Sequence, residues 1–292
     1  MTVQEAGAPP GTPPRRPSPW LGPVRVTGAV LGVGLIGIVT LGLIGQFSTR
    51  VSTESFTVTD PVKALTVKVG SGDIRVYADA PGTPVHVDAT IRSGFRKAGY
   101  TKAVKDGTLD LTGTCEASWV TLDDCSVSFQ LVVPSDITVD VHTQSGDQWL
   151  MDTTEAARLR AGSGDIYVRG VTGGLTVQTG SGDIKSDSLT SSQADLRTGS
   201  GDIRANFSGA TDAVTARTGS GDIRATFQVT PGTVAVKTGA GDVRVTVPDD
   251  GTRYDVSGST GSGDRHIEVP TGSNSHRIEA DTGSGDVTIN VP

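Results

Sequence analysis

One turn, written nine times, governs how this chain can fold. Gly-(Ser/Ala)-Gly-Asp ends at Asp73, Asp165, Asp183, Asp202, Asp222, Asp242, Asp264 and Asp286, and a degenerate Gln-Ser-Gly-Asp ends at Asp147. From Asp147 onward the steps are 18, 18, 19, 20, 20, 22 and 22 residues. A fixed corner with variable loops elsewhere is the signature of stacked coils. After each Asp comes a short run such as "DIRATF", in which Ile223 and Ala225 face one way and Arg224 and Thr226 the other. That alternation marks half-buried strands. Two strands cannot bury an apolar face alone, but stacked copies share one interior. The expected fold is all-β: a β-solenoid, a single-stranded β-helix-like stack of ~20-residue coils. The competing arrangement, an antiparallel sandwich, would not need one turn copied so often.

The corner glycines are Gly162, Gly164, Gly180, Gly182, Gly199, Gly201, Gly219, Gly221, Gly239 and Gly241. A sharp corner repeated along a stack leaves little room for Cβ and favours positive φ, which Gly supplies cheaply. The chain holds 39 Gly, and aromatics make up only 4%. Its interior must therefore be Val, Ile, Leu and Ala.

The rhythm breaks between Asp73 and Asp147. Residues 60–146 read as a β-meander cap that carries the first Gly-Ser-Gly-Asp turn, followed by solenoid repeats over 147–292. Only "FRKAGYTKAVKDG", residues 95–107, suggests a short helix or a long loop. At the other end "DVTINVP" closes the chain almost on its last strand. That leaves an open edge, either blunted by Pro292 or paired by another molecule.

Residues 1–23 carry seven prolines and read as a disordered tail, with PxxP-like spacing. Residues 24–47 contain the uncharged run Val26–Phe47, long enough at ~1.5 Å per residue to span a bilayer as one transmembrane helix. The run exceeds a usual signal-peptide core and no Ala-x-Ala site follows it, which favours an uncleaved anchor. Arg15, Arg16 and Arg25 precede it, so the tail is expected in the cytoplasm and residues 51–292 outside. Residues 48–59 form a linker. Gly28 and Gly32 make a G-x-x-x-G pair that would support a weak homodimer.

Beyond residue 50 the balance is −10, with no basic patch, which argues against nucleic acid. Cys115 and Cys125 suit a disulfide in an oxidising compartment.

Stacking would align Asp165, Asp183, Asp202, Asp222 and Asp242 in one column. Like charges ~4.8 Å apart repel, so something must compensate. Three roles are open. The carboxylates cap their own turns, helped by Arg160, Arg197, Arg217 and Lys237 five residues before and Lys185, Arg204, Arg224 and Arg244 two after. Alternatively these five Asp residues bind Ca²⁺; no other cofactor is expected. The third role is catalysis, but no Gly-x-Ser-x-Gly or His-Glu-x-x-His motif appears, and an enzyme is not expected.

An uncharged helix followed by strands and recurring "TGSGDI" turns resembles the bacterial putative adhesin family, built on a β-repeat domain of unknown function. The likeness covers roughly residues 60–292 and includes the lead-in "LVVPSDITVDVHTQSGD". It implies a β-solenoid displayed at the cell surface or used as a sensor. The function expected is a membrane-anchored, extracytoplasmic binding or scaffolding module touching an envelope protein or glycan. A Ca²⁺-dependent structural module, or an envelope-stress or signalling accessory, is the alternative.

Overall fold

The structure, a computed structural model, describes residues 49–94, 96–116, 125–273 and 275–292. The expected tail (1–23) and membrane helix (24–47) lie outside the described residues. Among the described residues no helix is long and apolar enough to cross a membrane. The unit Ser48–Pro292 is all-β there.

The repeats come first, because they set the rest. Each corner joins one strand of each of two sheets. The pairs are β2 (Ala64–Ser71) with β3 (Ile74–Asp79), β8 (Thr138–Ser145) with β9 (Gln148–Met151), and β10 (Ala157–Ser163) with β11 (Ile166–Arg169). Then follow β12 (Leu175–Ser181) with β13 (Ile184–Leu189), β14 (Gln193–Ser200) with β15 (Ile203–Phe207), β16 (Ala213–Ser220) with β17 (Ile223–Phe227), and β18 (Thr233–Ala240) with β19 (Val243–Thr246). Successive coils pair parallel and in register, for example Ile203↔Ile223↔Val243 in one sheet and Val214↔Val234 in the other. The solenoid is thus a two-sheeted stack. Alternation puts Val214, Ala216, Ile223, Ala225 and Phe227 into a dry interior, each 2% exposed or less. Phe207 stacks on Phe227 at 4.8 Å. Burying one such Val, Ile or Phe is worth about 1.5–3 kcal/mol, and the neighbouring coil supplies the covering surface.

The gap between Asp73 and Asp147 is an excursion to one end and back. The strands involved are β1 (Arg50–Val58), β4 (Val85–Ser93), β5 (Ala98–Lys105), β6 (Thr108–Cys115) and β7 (Ser126–Pro134). β6 and β7 run parallel to β2 and β3, making one more coil beyond the Asp73 corner. β8 and β9 then return to pack on the opposite side of β2 and β3. β1, β4 and β5 finish this end with antiparallel pairs. Residues 98–105, expected as helix or loop, are strand β5. Asp106 (φ 51°) and Gly107 (φ 75°) turn it tightly into β6, and a two-residue turn with both φ positive matches the twist of a hairpin.

The other end also departs from chain order. After β19 come β20 (Asp255–Ser257), β21 (Thr260–Ser262) and β22 (Arg265–Ile267), then β23 (Arg277–Ser284) and β24 (Val287–Asn290). In space β24 lies between β19 and β22, and β23 between β18 and β20. The C-terminal strand is therefore not the open edge expected of "DVTINVP". The preceding coil steps outward, and the last one is inserted beneath it. The edge is instead given to β20 and β22, three residues each, a length that offers little to an invading strand.

Candidate functional site: the corner ridge and the faces beside it

Each corner glycine solves a local problem. Gly201 sits at φ 148°, and a Cβ there would lie 2.1 Å from the carbonyl oxygen of Gly182 in the coil below. Gly199 has no positive φ, yet its Cβ would meet the Gly180 carbonyl oxygen at 2.5 Å. The second Gly answers to both dihedral and space, the first to space alone. Gly162, Gly164, Gly180, Gly182, Gly219, Gly221, Gly239 and Gly241 repeat these two roles.

The structure brings the corner aspartates together on one ridge. The Asp165 amide donates to Asp147 Oδ1 (2.8 Å), Asp183 to Asp165 (2.8 Å), Asp202 to Asp183 (3.0 Å), Asp222 to Asp202 (2.9 Å) and Asp242 to Asp222 (3.0 Å). The ladder starts lower, with the Asp147 amide donating to Asp73. It continues through Asp286 to Asp264, again out of chain order. At its foot Ser128 Oγ accepts the Asp73 amide, standing where the β6–β7 coil has no Asp. In that coil the Cys115–Cys125 disulfide ties the last residue of β6 to the residue before β7. Each carboxylate therefore caps the next turn rather than its own.

The second carboxylate oxygen faces the basic column two residues on. Arg204 Nη2 and Arg224 Nη2 lie 3.0 Å from Asp202 and Asp222, and Lys185 Nζ lies 3.4 Å from Asp183. Tyr167 donates its hydroxyl to Asp165. The column five residues before the Asp does not serve the ridge in this way. Arg160 and Arg197 turn to Asp140 and Asp195 on their own sheet. The amide of Asp202 holds the Asp183 carboxyl below the usual carboxylate range, against burial, with Lys185 assisting. Asp165, Asp183, Asp202 and Asp222 thus have both carboxylate oxygens engaged. Among the described residues no group of three or more His, Cys, Asp or Glu is arranged to hold a metal ion.

A second ladder, not recognised in the sequence, lies inside the first. Thr179, Thr198, Thr218, Thr238 and Thr282 are buried and donate their hydroxyls to the carbonyl of the second corner Gly one coil below, at 2.9–3.1 Å. Its signal was present: a Thr four residues before the Asp, inside every "TGSGD" and "TGAGD".

Beside the ridge, the outer face of the sheet holding β3 and β9 carries a cross-coil stack. Arg75 lies 4.2 Å over Trp149, and Trp149 stacks on Tyr167 at 5.4 Å. Next to the stack is a groove of about 440 Å³. The opposite sheet has a wider hollow of about 780 Å³, walled mainly by Thr, Ala and Gly and lacking an aromatic side chain.

A family model described as Toastrack DUF4097 matches residues 62–291. No curated protein matches the chain. Among solved structures, it is similar to a putative adhesin from Bacteroides fragilis NCTC 9343, with 18% identity over 83% of this chain and 97% of that one, TM-score 0.49. A putative lipid binding protein from Parabacteroides distasonis ATCC 8503 shows 10% identity, coverages of 83% and 97%, and TM-score 0.44. A putative adhesin from Parabacteroides merdae ATCC 43184 shows 14% identity, coverages of 82% and 96%, and TM-score 0.41.

Proposed function

The chain belongs to the Toastrack DUF4097 family, and on that footing we propose that it is a non-enzymatic, adhesin-like binding module. Residues 24–47 anchor it in the membrane, and residues 51–292 work outside the cytoplasm on an envelope protein or glycan. One observation carries this reading: the corner Asp, the most repeated ionisable group in the chain, is engaged in holding coil to coil. What remains for a partner is the pair of broad sheet faces, where polar and charged side chains recur at ~4.8 Å from coil to coil. Such faces suit extended, multivalent contact better than chemistry on a small molecule.

The test is membrane-impermeant crosslinking on intact cells carrying the full-length chain, with external protease in parallel. The expected result is a crosslinked envelope component and digestion of the folded unit from outside. Complete protection from protease, together with crosslinks only to cytoplasmic proteins, would refute the reading.

A further inference from the structure

The groove beside the Trp149–Tyr167 stack combines three independent features. The first is composition. In a chain with 4% aromatics, Trp149 and Tyr167 sit together on one solvent face, with Met151 beside them. The second is its unspent polar groups. Among the described residues the Trp149 indole N–H, the Arg169 guanidinium, the Asp187 carboxylate and the Asn206 amide have no hydrogen-bond or ion-pair partner. Lys185, by contrast, is held by corner carboxylates. The third is backbone strain. The residues that follow Met151, Arg169 and Asp187 in three adjacent coils are Asp152, Gly170 and Ser188, with φ of 63°, 64° and 52°. Left-handed conformations at two non-Gly residues persist only where the surroundings impose them. Between Ser186 and Leu189 the register with β15 also slips, a bulge in the coil that carries Asp187.

From these we propose that the groove is the recognition site for an acidic glycan, a deepening that rests on the binding-module reading above. The chemistry fits a sugar chain on each count. Arg169 is the uncommitted cation and offers a planar fork to a carboxylate. Asp187 accepts hydroxyl protons, while Asn206 and the indole N–H supply the complementary polar contacts. Because Arg75 and Tyr167 cover the two faces of Trp149, the ring edges and Met151 form the apolar surface for pyranose C–H groups. A peptide of Asp and Glu alone has no hydroxyl for Asp187. A peptide strand would seek an edge for its backbone, and the groove lies on a sheet face.

The experiment uses the purified full-length chain with oligosaccharides of polygalacturonate and of hyaluronate, dextran as the neutral probe, poly-glutamate, and phosphatidylglycerol vesicles. The expected result is at least tenfold tighter binding of an acidic oligosaccharide than of dextran. Arg169→Glu should lower that affinity at least tenfold and Asp187→Asn severalfold, with unchanged melting temperatures. Arg158→Glu, on the opposite sheet, should have no effect. Neither acidic glycan binding, no loss with Arg169→Glu, equally tight binding of poly-glutamate, or vesicle binding that falls with Arg169→Glu would each overturn the proposal. Retention on intact envelopes separates the two levels. If wild type and Arg169→Glu are retained equally, the groove assignment fails and the binding module stands; if neither is retained, the module reading fails.

Discussion

Gly201 and Thr218 show how a corner is locked at the scale of single residues. The Gly201 carbonyl accepts the Thr218 hydroxyl at 3.0 Å, while the missing Gly201 side chain lets the Gly182 carbonyl approach. Gly201→Val meets backbone at 2.1 Å and a forbidden φ, so it should cost on the order of 4 kcal/mol or more, seen as a collapsed melting temperature. Thr218→Val keeps shape and removes the donor, leaving a buried carbonyl unpaired. A loss of about 1–2 kcal/mol in the denaturant midpoint is expected. Asp183 gives the pH signature. Its carboxyl is lowered in the folded state, so its stabilisation is fully present above the ordinary carboxylate value and disappears as pH falls through that range to the lowered one. Asp183→Asn should flatten this part of the acid limb in a pH series of unfolding curves. The glycines and aspartates were legible because a turn copied nine times has to be structural. The Thr ladder is not legible in the same way, because Thr is also an ordinary strand residue and burial decides which role it has.

At the scale of elements, the corner-to-strand rhythm was readable wherever one coil follows another. It failed at both ends, where chain order and spatial order part. Nothing local in "GSGDRHIEV" says that the coil of Asp264 lies outside that of Asp286, since both have compatible corners and similar strands. The slot is decided by which coil best covers β18 and β19, a tertiary matter. β23 extends eight residues along β18 with Ile278 and Ala280 fully buried, whereas β20 and β22 are three residues each and bury none fully. β5 departs from the expected helix or loop for a different reason. Its Lys-rich edge sequence lacks strong strand alternation, although the Asp106–Gly107 pair signalled a hairpin. Because β23 and β24 are interior, truncation after Pro270 removes a buried coil, not a fringe. It should lower the melting temperature more than deleting residues that end a solenoid, and expose the apolar edge of β18 and β19 to aggregation, measured by light scattering.

For the whole folded unit, identical corners make the stack modular. Deleting residues 203–222 removes one 20-residue step and rejoins Asp202 to Ile223, so the ladder of amides and carboxylates re-forms. That variant should fold with a modest loss of stability, while a ten-residue deletion from the same place should not fold, judged by cooperative unfolding. The groove was legible only in part. Trp149 and Tyr167 are visible in the sequence, but only the one-coil register puts one ring on the other. The central claim is that the corners lie on one ridge in the order Asp222, Asp242, Asp286, Asp264. Paired cysteines at the corner position one residue before the second Gly test it directly by oxidation, since neighbours one coil apart fall within disulfide reach and those two coils apart, ~9.6 Å, do not. Ala240→Cys with Ser284→Cys, and Ser284→Cys with Ser262→Cys, should crosslink within one chain, and Ala240→Cys with Ser262→Cys should not. Crosslinking of the 240–262 pair with none for 240–284 would contradict the inserted coil and the ridge built on it.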